Sequence, residues 1–319
     1  MKKNIYFFEV KPEEHFHITE KYPDATIFEE AFSEELVQYC SDAHVLCGMV
    51  HSEFNEKNLS LFNNLELIVT RSVGYNHIDL EYCAKNNIQV CHVPEYGSHV
   101  IAEHVFALLL SSVRNILEAE METQSGEFDD DGLCGMSLKD KTLAVVGTGK
   151  IGSHVCRIAS RGFLMNVIAF DVHPDEDLAK EYGFTYVDTL DELYKRADII
   201  SLHAPLFPTT QHMINTESIG KMKDGVVLIN TSRGELIKTD DLVKAIKSGK
   251  FSHVALDVIE HEENLKKSDE LLRLPDVIIT PHIAYYTRES VDKMYEIGIA
   301  SIKEYLAVEK KLTYKVVGH

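Results

Sequence analysis

Residues 143–159, LAVVGTGKIGSHVCRIA, decide how the second half of this chain is interpreted. The first four residues are apolar and predict a buried strand, whereas the residues from Lys150 onward predict a helix. The turn between them carries the pattern G-x-G-x-x-G, with its glycines at Gly147, Gly149 and Gly152. Such glycines permit a tight turn, the approach of a pyrophosphate to the backbone and close packing of helix on strand. Because a helix N-terminus also offers N–H groups to phosphates, the stretch predicts a dinucleotide-binding turn that includes Lys150 and Ile151.

An acidic residue at the end of the next predicted strand indicates which dinucleotide binds. The strand predicted over residues 166–172 carries Asp171, about twenty residues after the glycine turn, where an acid is expected in such sites. A carboxylate there accepts hydrogen bonds from the adenosine ribose hydroxyls and repels a 2′-phosphate. The sequence therefore favours NAD over NADP, although the basic side chains of Lys150 and His173 lie near in sequence and weaken that preference.

Short apolar runs alternate with helix-like segments along the whole chain. The first half predicts five strands, at residues 5–10, 25–28, 44–50, 65–70 and 88–93. The second half predicts seven, at residues 141–147, 166–172, 184–187, 198–205, 225–230, 253–258 and 277–282. One long helix is predicted over residues 100–121 and a closing helix over residues 288–309. Buried strands separated by helices are typical of parallel sheets covered on both faces, so we expect an α/β protein with two doubly wound domains.

Composition narrows the class of protein. The 319 residues include 51 acidic and 32 basic ones, a formal net charge of −19, which is opposite to the balance of a nucleic-acid binder. No stretch has the length of a membrane span, and the N-terminal residues lack the pattern of a signal peptide. The cysteines have no metal-type spacing and predict reduced thiols in the cytoplasm; they are Cys40, Cys47, Cys83, Cys91, Cys134 and Cys156. We therefore expect a cytoplasmic protein that binds a small molecule and holds no metal.

Arg233, Glu262 and His282 each stand at or just beyond the end of a predicted strand. Ligands of doubly wound sheets bind beyond the carboxyl ends of the strands. Each residue alone is compatible with a structural role, but together they fit hydride transfer at a carbonyl next to a carboxylate. Arginine can hold the carboxylate through its planar fork, and histidine can protonate the ketone oxygen. A carboxylate bonded to that histidine orients its ring and favours the imidazolium.

These residues resemble a known family, the D-isomer-specific 2-hydroxyacid dehydrogenases, over nearly the whole chain. Besides the glycine turn, the matching stretches are RSVGYNHIDL (71–80), VPEYGSHVIAEHVFALLL (93–110), HAPLFPTTQHMIN (203–215), INTSRGELI (229–237), ALDVIEHEE (255–263) and ITPHIAYYT (279–287). The resemblance implies that Arg233 clamps the substrate carboxylate, that His282 is the acid/base, and that Glu262 is its partner acid.

The resemblance also implies further contacts with cofactor and substrate. Asp257 matches the family residue that bonds the nicotinamide carboxamide, and three more positions match residues that line the cofactor, at Pro205, Thr210 and Thr231. Backbone N–H groups of Val73 and Gly74 match a loop that holds the substrate carboxylate. Tyr96 and Tyr285 match aromatic positions of the D-lactate dehydrogenase branch, and Tyr285 is expected to limit substrate size.

The domain arrangement comes from the resemblance alone. It implies a Rossmann NAD-binding domain over residues 100–288, inserted into a flavodoxin-like substrate domain formed by residues 1–99 and 289–319. Family members are typically dimers joined mainly through the cofactor domain, so a homodimer is expected.

The choice of partner acid and of substrate stays open at this point. Many relatives have proline after the acid, whereas Glu262 is followed by Glu263, so Glu260 is an alternative for the same role. The aromatic positions favour a small 2-oxo acid, and the leading expectation is reduction of pyruvate to D-lactate with NADH. A glyoxylate or hydroxypyruvate reductase is the enzymatic alternative. An NAD-responsive corepressor, which binds protein partners, is the alternative from another class.

Overall fold

The computed structural model describes residues 3–266, 269–307 and 311–316, and the chain folds into two compact units. The first unit comprises Met1–Tyr96 and Tyr286–His319, and the second comprises Gly97–Tyr285. The chain thus leaves the first unit, forms the whole of the second and returns. The boundaries predicted after residues 99 and 288 fall slightly later along the chain than the divisions after Tyr96 and Tyr285.

The first unit is built on a five-stranded parallel sheet. Its strands are β1 (Ile5–Phe7), β2 (Thr26–Ile27), β3 (Val45–Gly48), β4 (Leu67–Thr70) and β5 (Gln89–Cys91). Its helices before the second unit are α1 (His15–Thr19), α2 (Val37–Cys40), α3 (Glu56–Leu59) and α4 (Leu80–Lys85). The strand order is β2-β1-β3-β4-β5 with every pair parallel, which is the flavodoxin-like doubly wound order.

The second unit is built on a seven-stranded parallel sheet. Its strands are β6 (Thr142–Val146), β7 (Asn166–Phe170), β8 (Thr185–Tyr186), β9 (Ile199–Leu202), β10 (Val226–Asn230), β11 (Phe251–Leu256) and β12 (Val277–Ile279). Its helices are α5 (Ser98–Val113), α6 (Ile116–Ser125), α7 (Lys150–Gly162), α8 (Glu176–Tyr182), α9 (Leu190–Arg196), α10 (Thr216–Lys221) and α11 (Thr239–Lys247). The order β8-β7-β6-β9-β10-β11-β12 is the Rossmann order with one added strand.

Alternate residues of the central strands bury opposite faces of the second sheet. Val146 and Ile200 belong to one apolar cluster, whereas Val145 and Ile199 belong to another. Successive side chains of a strand point to opposite faces, so a continuous apolar run fills both cores. This explains why these strands are apolar without alternation. The order of the strands reverses direction between β6 and β9, and ligands of such sheets bind beyond the carboxyl ends of the strands at that point.

The long helix predicted over residues 100–121 is two helices instead. α5 ends at Val113 and α6 begins at Ile116, with a bend of 57° between them. Asn115 has a left-handed φ of +50°, which interrupts the helix, and the apolar pattern of the sequence does not reveal this break. No single described helix is long and apolar enough to cross a membrane; α5 and α6 reach that length only as a bent pair.

The last helix, α12 (Arg288–Leu306), packs in the first unit against β4. The predicted end at residue 309 lies outside the described residues. The hydroxyl of Tyr295 in this helix donates to Glu14 (2.9 Å), and its ring lies under the guanidinium of Arg71 (4.9 Å to the centroid). Arg71 is buried and donates to the carbonyls of Phe8 and Glu9. This cation therefore joins the end of β4 to the end of β1.

Candidate active site

The glycine turn follows β6 and leaves no room for side chains at two of its positions. Gly147 has a φ of +92°, and a Cβ there would lie 2.8 Å from the carbonyl carbon of His203. A Cβ at Gly152 would lie 1.9 Å from the carbonyl oxygen of Gly147. No atom lies within 4 Å of a Cβ built at Gly149, so bare backbone is exposed directly before Lys150 and Ile151, the first residues of α7. This arrangement fits a pyrophosphate at the helix N-terminus.

Asp171 lies just beyond β7 with its carboxylate turned to the glycine turn. Its Oδ2 accepts hydrogen bonds from the N–H (2.7 Å) and the hydroxyl (3.1 Å) of Thr148, and its Oδ1 accepts one from the N–H of His173 (2.9 Å). Burial disfavours the charged form, but these hydrogen bonds outweigh it and hold the pKa of Asp171 below its usual range. The carboxylate is therefore negative at neutral pH. A group that accepts hydrogen bonds from ribose hydroxyls and repels a 2′-phosphate must carry this charge.

Arg233 lies just after β10 in a turn that Asn230 fixes. Asn230 accepts from the N–H of Ser232 (3.0 Å) and donates to the carbonyl of Arg233 (2.8 Å). The half-buried guanidinium donates to the carbonyl of Ser232 (2.7 Å), and none of the described carboxylates forms an ion pair with it. Gly234 packs so closely on the next loop that a Cβ there would lie 2.0 Å from the carbonyl carbon of Ile259. A cation is thus held at the strand end, where it can meet an anionic ligand.

His282 contacts Glu262, and the two residues follow neighbouring strands. The strand predicted through residue 282 ends at Ile279, because Pro281 has no N–H to continue the ladder. Nδ1 of His282 lies 2.8 Å from Oε1 of Glu262, and the side chains are 22% and 29% exposed. Burial is thus incomplete, so a ligand can reach the pair. Since β10, β11 and β12 are parallel neighbours, Arg233, Glu262 and His282 stand at one edge of the sheet.

Glu260 makes a different set of contacts. Its Oε1 lies 2.6 Å from Nε2 of His212, and its Oε2 accepts from the N–H of Thr239 (2.7 Å), the first residue of α11. Burial disfavours the charged form, but the contacts with Thr239 and His212 outweigh it and lower the pKa of Glu260. The two acids of this loop therefore contact different histidines: Glu260 contacts His212, and Glu262 contacts His282.

Asp257 is almost completely buried, with 1% of its surface exposed, and it holds the loop of His282. Oδ1 accepts from the hydroxyl of Thr280 (2.5 Å) and the N–H of Ile283 (2.9 Å), and Oδ2 accepts from the N–H of Ala284 (2.8 Å). Burial disfavours its charge, but the contacts with His104 and Thr280 and the hydrogen bonds from the two N–H groups lower its pKa. Its contact with nicotinamide stays a prediction, and its visible partners belong to the protein.

The residues predicted to line the cofactor lie in loops after β9 and β10. Thr210 closes the first loop, because its hydroxyl donates to the carbonyl of Pro205 (2.7 Å) and accepts from the N–H of Phe207 (2.8 Å). Thr231 is buried, and its hydroxyl has no hydrogen-bond partner within the described part of the chain. A buried hydroxyl without a partner is unfavourable, so a polar ligand at Thr231 would satisfy it. The site therefore fits a bound dinucleotide.

The residues predicted to bind substrate are divided between the two units. Val73, Gly74 and Tyr96 belong to the first, whereas Arg233 and Tyr285 belong to the second. Val73 is 39% exposed, and the N–H groups of Val73 and Gly74 donate no hydrogen bond to any described residue. Two N–H groups of adjacent residues are a suitable site for a carboxylate.

Comparison with known proteins identifies the family. The family model described as "D-isomer specific 2-hydroxyacid dehydrogenase, NAD binding domain" matches residues 106–284, more than half of the chain. A 2-hydroxyacid dehydrogenase homolog of Zymomonas mobilis is 36% identical over 285 residues, 85% of this chain and 86% of that protein. The chain belongs to this family. This dehydrogenase is therefore an NAD-dependent oxidoreductase.

Two further proteins are similar to the dehydrogenase. An aromatic 2-oxoacid reductase of Clostridium sporogenes is 40% identical to the dehydrogenase over 253 residues, 76% of each protein. A crystal structure of D-lactate dehydrogenase from Aquifex aeolicus, complexed with NAD and lactic acid, is also similar. Its sequence is 38% identical to this chain, and the two structures superimpose with a TM-score of 0.91 over 99% of this chain and 100% of the Aquifex aeolicus chain.

Sequence reasoning missed several polar residues that support the site. Nε2 of His104 lies 3.2 Å from the hydroxyl of Thr280 and 3.5 Å from Asp257. Because Thr280 donates its own proton to Asp257, His104 must donate to Thr280. Tyr186 contacts Thr148 in the glycine turn, and His212 contacts Glu260. These contacts join residues far apart in sequence, so no local pattern of the dehydrogenase points to them.

Proposed function

We propose that this dehydrogenase reduces a small 2-oxo acid, with pyruvate to D-lactate as the leading reaction. The observation that carries the proposal is the contact between His282 and Glu262 on the same sheet edge as Arg233. The similarity to a D-lactate dehydrogenase that binds NAD and lactic acid supports the choice of substrate. Each residue then has one role that follows from its contacts.

His282 supplies the proton to the ketone oxygen. Its Nδ1 faces Glu262, so we assign Nε2, the other ring nitrogen, to the substrate. The contact with Glu262 fixes the orientation of the ring and so directs Nε2 to the substrate. In the reverse direction the neutral imidazole takes the proton of the hydroxyl, so the same pair serves both directions.

Arg233 binds the substrate carboxylate and thereby orients the ketone. Its planar guanidinium can make two parallel hydrogen bonds to a carboxylate. We keep Val73, Gly74, Tyr96 and Tyr285 as the further substrate-binding residues that the family resemblance implies. Because the net charge of the chain is −19, a local cation is needed to attract an anionic substrate against the overall field.

NADH, when bound, supplies the hydride that reduces the carbonyl carbon. The residues that would hold it are the glycine turn with Lys150 and Ile151, Asp171, and the loops of Pro205, Thr210 and Thr231. We keep Asp257 in this set as a proposal. Since Asp171 is ionised and bonded to the turn, we propose that it selects NAD over NADP.

A second candidate substrate is an aromatic 2-oxo acid. The identity of 40% to an aromatic 2-oxoacid reductase favours it specifically. The chemistry at the carboxylate and ketone is common to both candidates, so the trio of Arg233, Glu262 and His282 does not separate them. The difference lies in the space that the side chain of the substrate occupies.

A substrate panel tests the proposal. We expect kcat/KM with NADH to be higher for pyruvate than for phenylpyruvate, glyoxylate and hydroxypyruvate, and the product to be D-lactate. A higher value for phenylpyruvate would favour the aromatic candidate, and a higher value for glyoxylate or hydroxypyruvate would favour that reductase class. Absence of turnover with every acid, with NADH binding retained, would contradict the proposal and favour a corepressor-like binding protein.

We further propose that the dehydrogenase is a cytoplasmic homodimer. The six cysteines are free thiols, which agrees with a reducing compartment. Helix α6 buries none of its side chains within the chain, and Ile116, Leu117 and Met121 are 52%, 45% and 70% exposed. An apolar surface of this kind suits a subunit interface. Light scattering at micromolar concentration should give twice the chain mass, and the mass of one chain would contradict the dimer.

A further inference from the structure

A chain of hydrogen bonds runs from the edge strand β8 to the carboxylate of Asp171. The N–H of Asp175 donates to the hydroxyl of Tyr186 (3.1 Å), and that hydroxyl lies 2.8 Å from the hydroxyl oxygen of Thr148. The hydroxyl of Thr148 in turn lies 3.1 Å from Oδ2 of Asp171. All four residues belong to the second unit.

The direction of each bond follows from the protons available. An ionised carboxylate only accepts, so Thr148 donates its single hydroxyl proton to Asp171. The bond between the two hydroxyls must then be donated by Tyr186. The N–H of Asp175 occupies an acceptor position of the Tyr186 oxygen. Every donor therefore points toward Asp171, an arrangement in which successive hydrogen bonds strengthen one another.

Asp171 retains one acceptor position for a ligand. A carboxylate has about four acceptor positions. The N–H and the hydroxyl of Thr148 use two on Oδ2, and the N–H of His173 uses one on Oδ1. The remaining position is on Oδ1. It can accept one hydroxyl donor, whereas a phosphate brings only negative charge to it.

We propose that Tyr186 determines the preference for NAD over NADP, acting through Thr148 on the orientation of Asp171. Tyr186 is a positioning residue, because it touches Thr148 and not the cofactor-facing oxygen itself. Its own ring is held by Phe184, at 5.2 Å between centroids in an edge-to-face contact. This proposal rests on the role of Asp171 given under the proposed function.

The test measures dissociation constants of NADH and NADPH by fluorescence titration in the absence of substrate. Tyr186→Phe removes only the hydroxyl, and Thr148→Val removes the second link while keeping the backbone N–H. Each substitution should raise the dissociation constant of NADH about two- to tenfold, the usual effect of one hydrogen bond. The dissociation constant of NADPH should rise less, because a less firmly held carboxylate also repels the 2′-phosphate less. Thr148→Ser keeps the hydroxyl and should retain the preference of the unmodified chain.

Tyr182→Phe is the matched control, because Tyr182 lies in the same βα unit and outside this hydrogen-bond chain. The ratio of the NADPH to the NADH dissociation constant should be unchanged in this variant.

Asp171→Ala should lower that ratio more than Tyr186→Phe does. Adding Tyr186→Phe to Asp171→Ala should lower the ratio no further, because Tyr186 acts only through Asp171. If Asp171→Ala lowers the ratio but Tyr186→Phe and Thr148→Val do not, the proposal for Tyr186 fails alone. If Asp171→Ala leaves the ratio unchanged, the role of Asp171 fails and the proposal for Tyr186 fails with it.

Discussion

Nδ1 of His282 lies 2.8 Å from Oε1 of Glu262, and this contact joins the loop after β11 to the loop after β12. Glu260, in the same loop, instead contacts His212 and the first N–H of α11. The geometry therefore supports Glu262 over Glu260 as the partner acid. It also implies that removing either carboxylate should affect different properties of the enzyme.

Glu262→Gln should lower kcat for pyruvate reduction by about tenfold, the order of effect expected for losing a hydrogen bond to a charged group. Glutamine keeps the size of the side chain but lacks the carboxylate that contacts Nδ1 of His282 (2.8 Å), so the ring is oriented less firmly. The measurement is kcat and kcat/KM with NADH at pH 7, and the dissociation constant of NADH should barely change. Glu260→Gln is the control, and a loss of kcat in that variant but not in Glu262→Gln would reverse the assignment.

Arg233→Lys should raise KM for the 2-oxo acid and lower kcat. Lysine keeps the charge but cannot make two parallel hydrogen bonds to a carboxylate, so a loss of about ten- to hundredfold in kcat/KM is expected for one bond to a charged group. The dissociation constant of NADH, measured by fluorescence, should barely change. Arg196→Lys, in an exposed pair with Glu192, is the control. Near-normal kinetics in Arg233→Lys would return Arg233 to a structural role.

Glu260→Gln should lower the free energy of unfolding by about 1 kcal/mol, the typical value of a charge at a helix N-terminus with its hydrogen bond. The contacts with Thr239 and His212 hold the pKa of Glu260 below its ordinary value in the folded chain. Its contribution is therefore complete above that value and is lost as the pH falls through the folded pKa. Chemical denaturation at pH 7 and at lower pH measures how much Glu260→Gln lowers the free energy of unfolding. The loss should be larger at pH 7 than at lower pH, and at pH 7 it should exceed the loss caused by Glu192→Gln. Equal losses for the two substitutions would contradict the role of Glu260.

Local patterns predicted the strands of both sheets, and the resemblance supplied the order of the domains. They failed where a single residue or a distant partner decides the structure. Asn115 ends α5 through its left-handed φ, and nothing in the apolar pattern marks it. The end of β12 was readable in principle, because Pro281 precedes His282. The contacts of Glu260 with His212 and of Tyr186 with Thr148 span 48 and 38 residues, and such separations leave no periodic signal.

Asp257 gives the clearest contrast between resemblance and geometry. The family position implies a contact with nicotinamide, yet both oxygens accept bonds from Thr280, Ile283 and Ala284. The N–H of His282 also donates to the Asp257 backbone carbonyl (2.9 Å). A change at Asp257 should therefore disturb the segment that carries His282, whether or not the carboxylate also meets the cofactor.

Asp257→Asn should destabilise the chain and slow turnover together. An amide has one acceptor oxygen in place of two, so a buried N–H of Ile283 or Ala284 loses its partner, which costs about 1–3 kcal/mol. Because the pKa of Asp257 is lowered in the folded chain, the loss should be larger at pH 7 than in acid. Denaturant unfolding, kcat and NADH affinity are measured together, with exposed Asp224→Asn as the control. Weaker NADH binding at unchanged stability would instead support a direct contact with the cofactor and contradict the role in positioning His282.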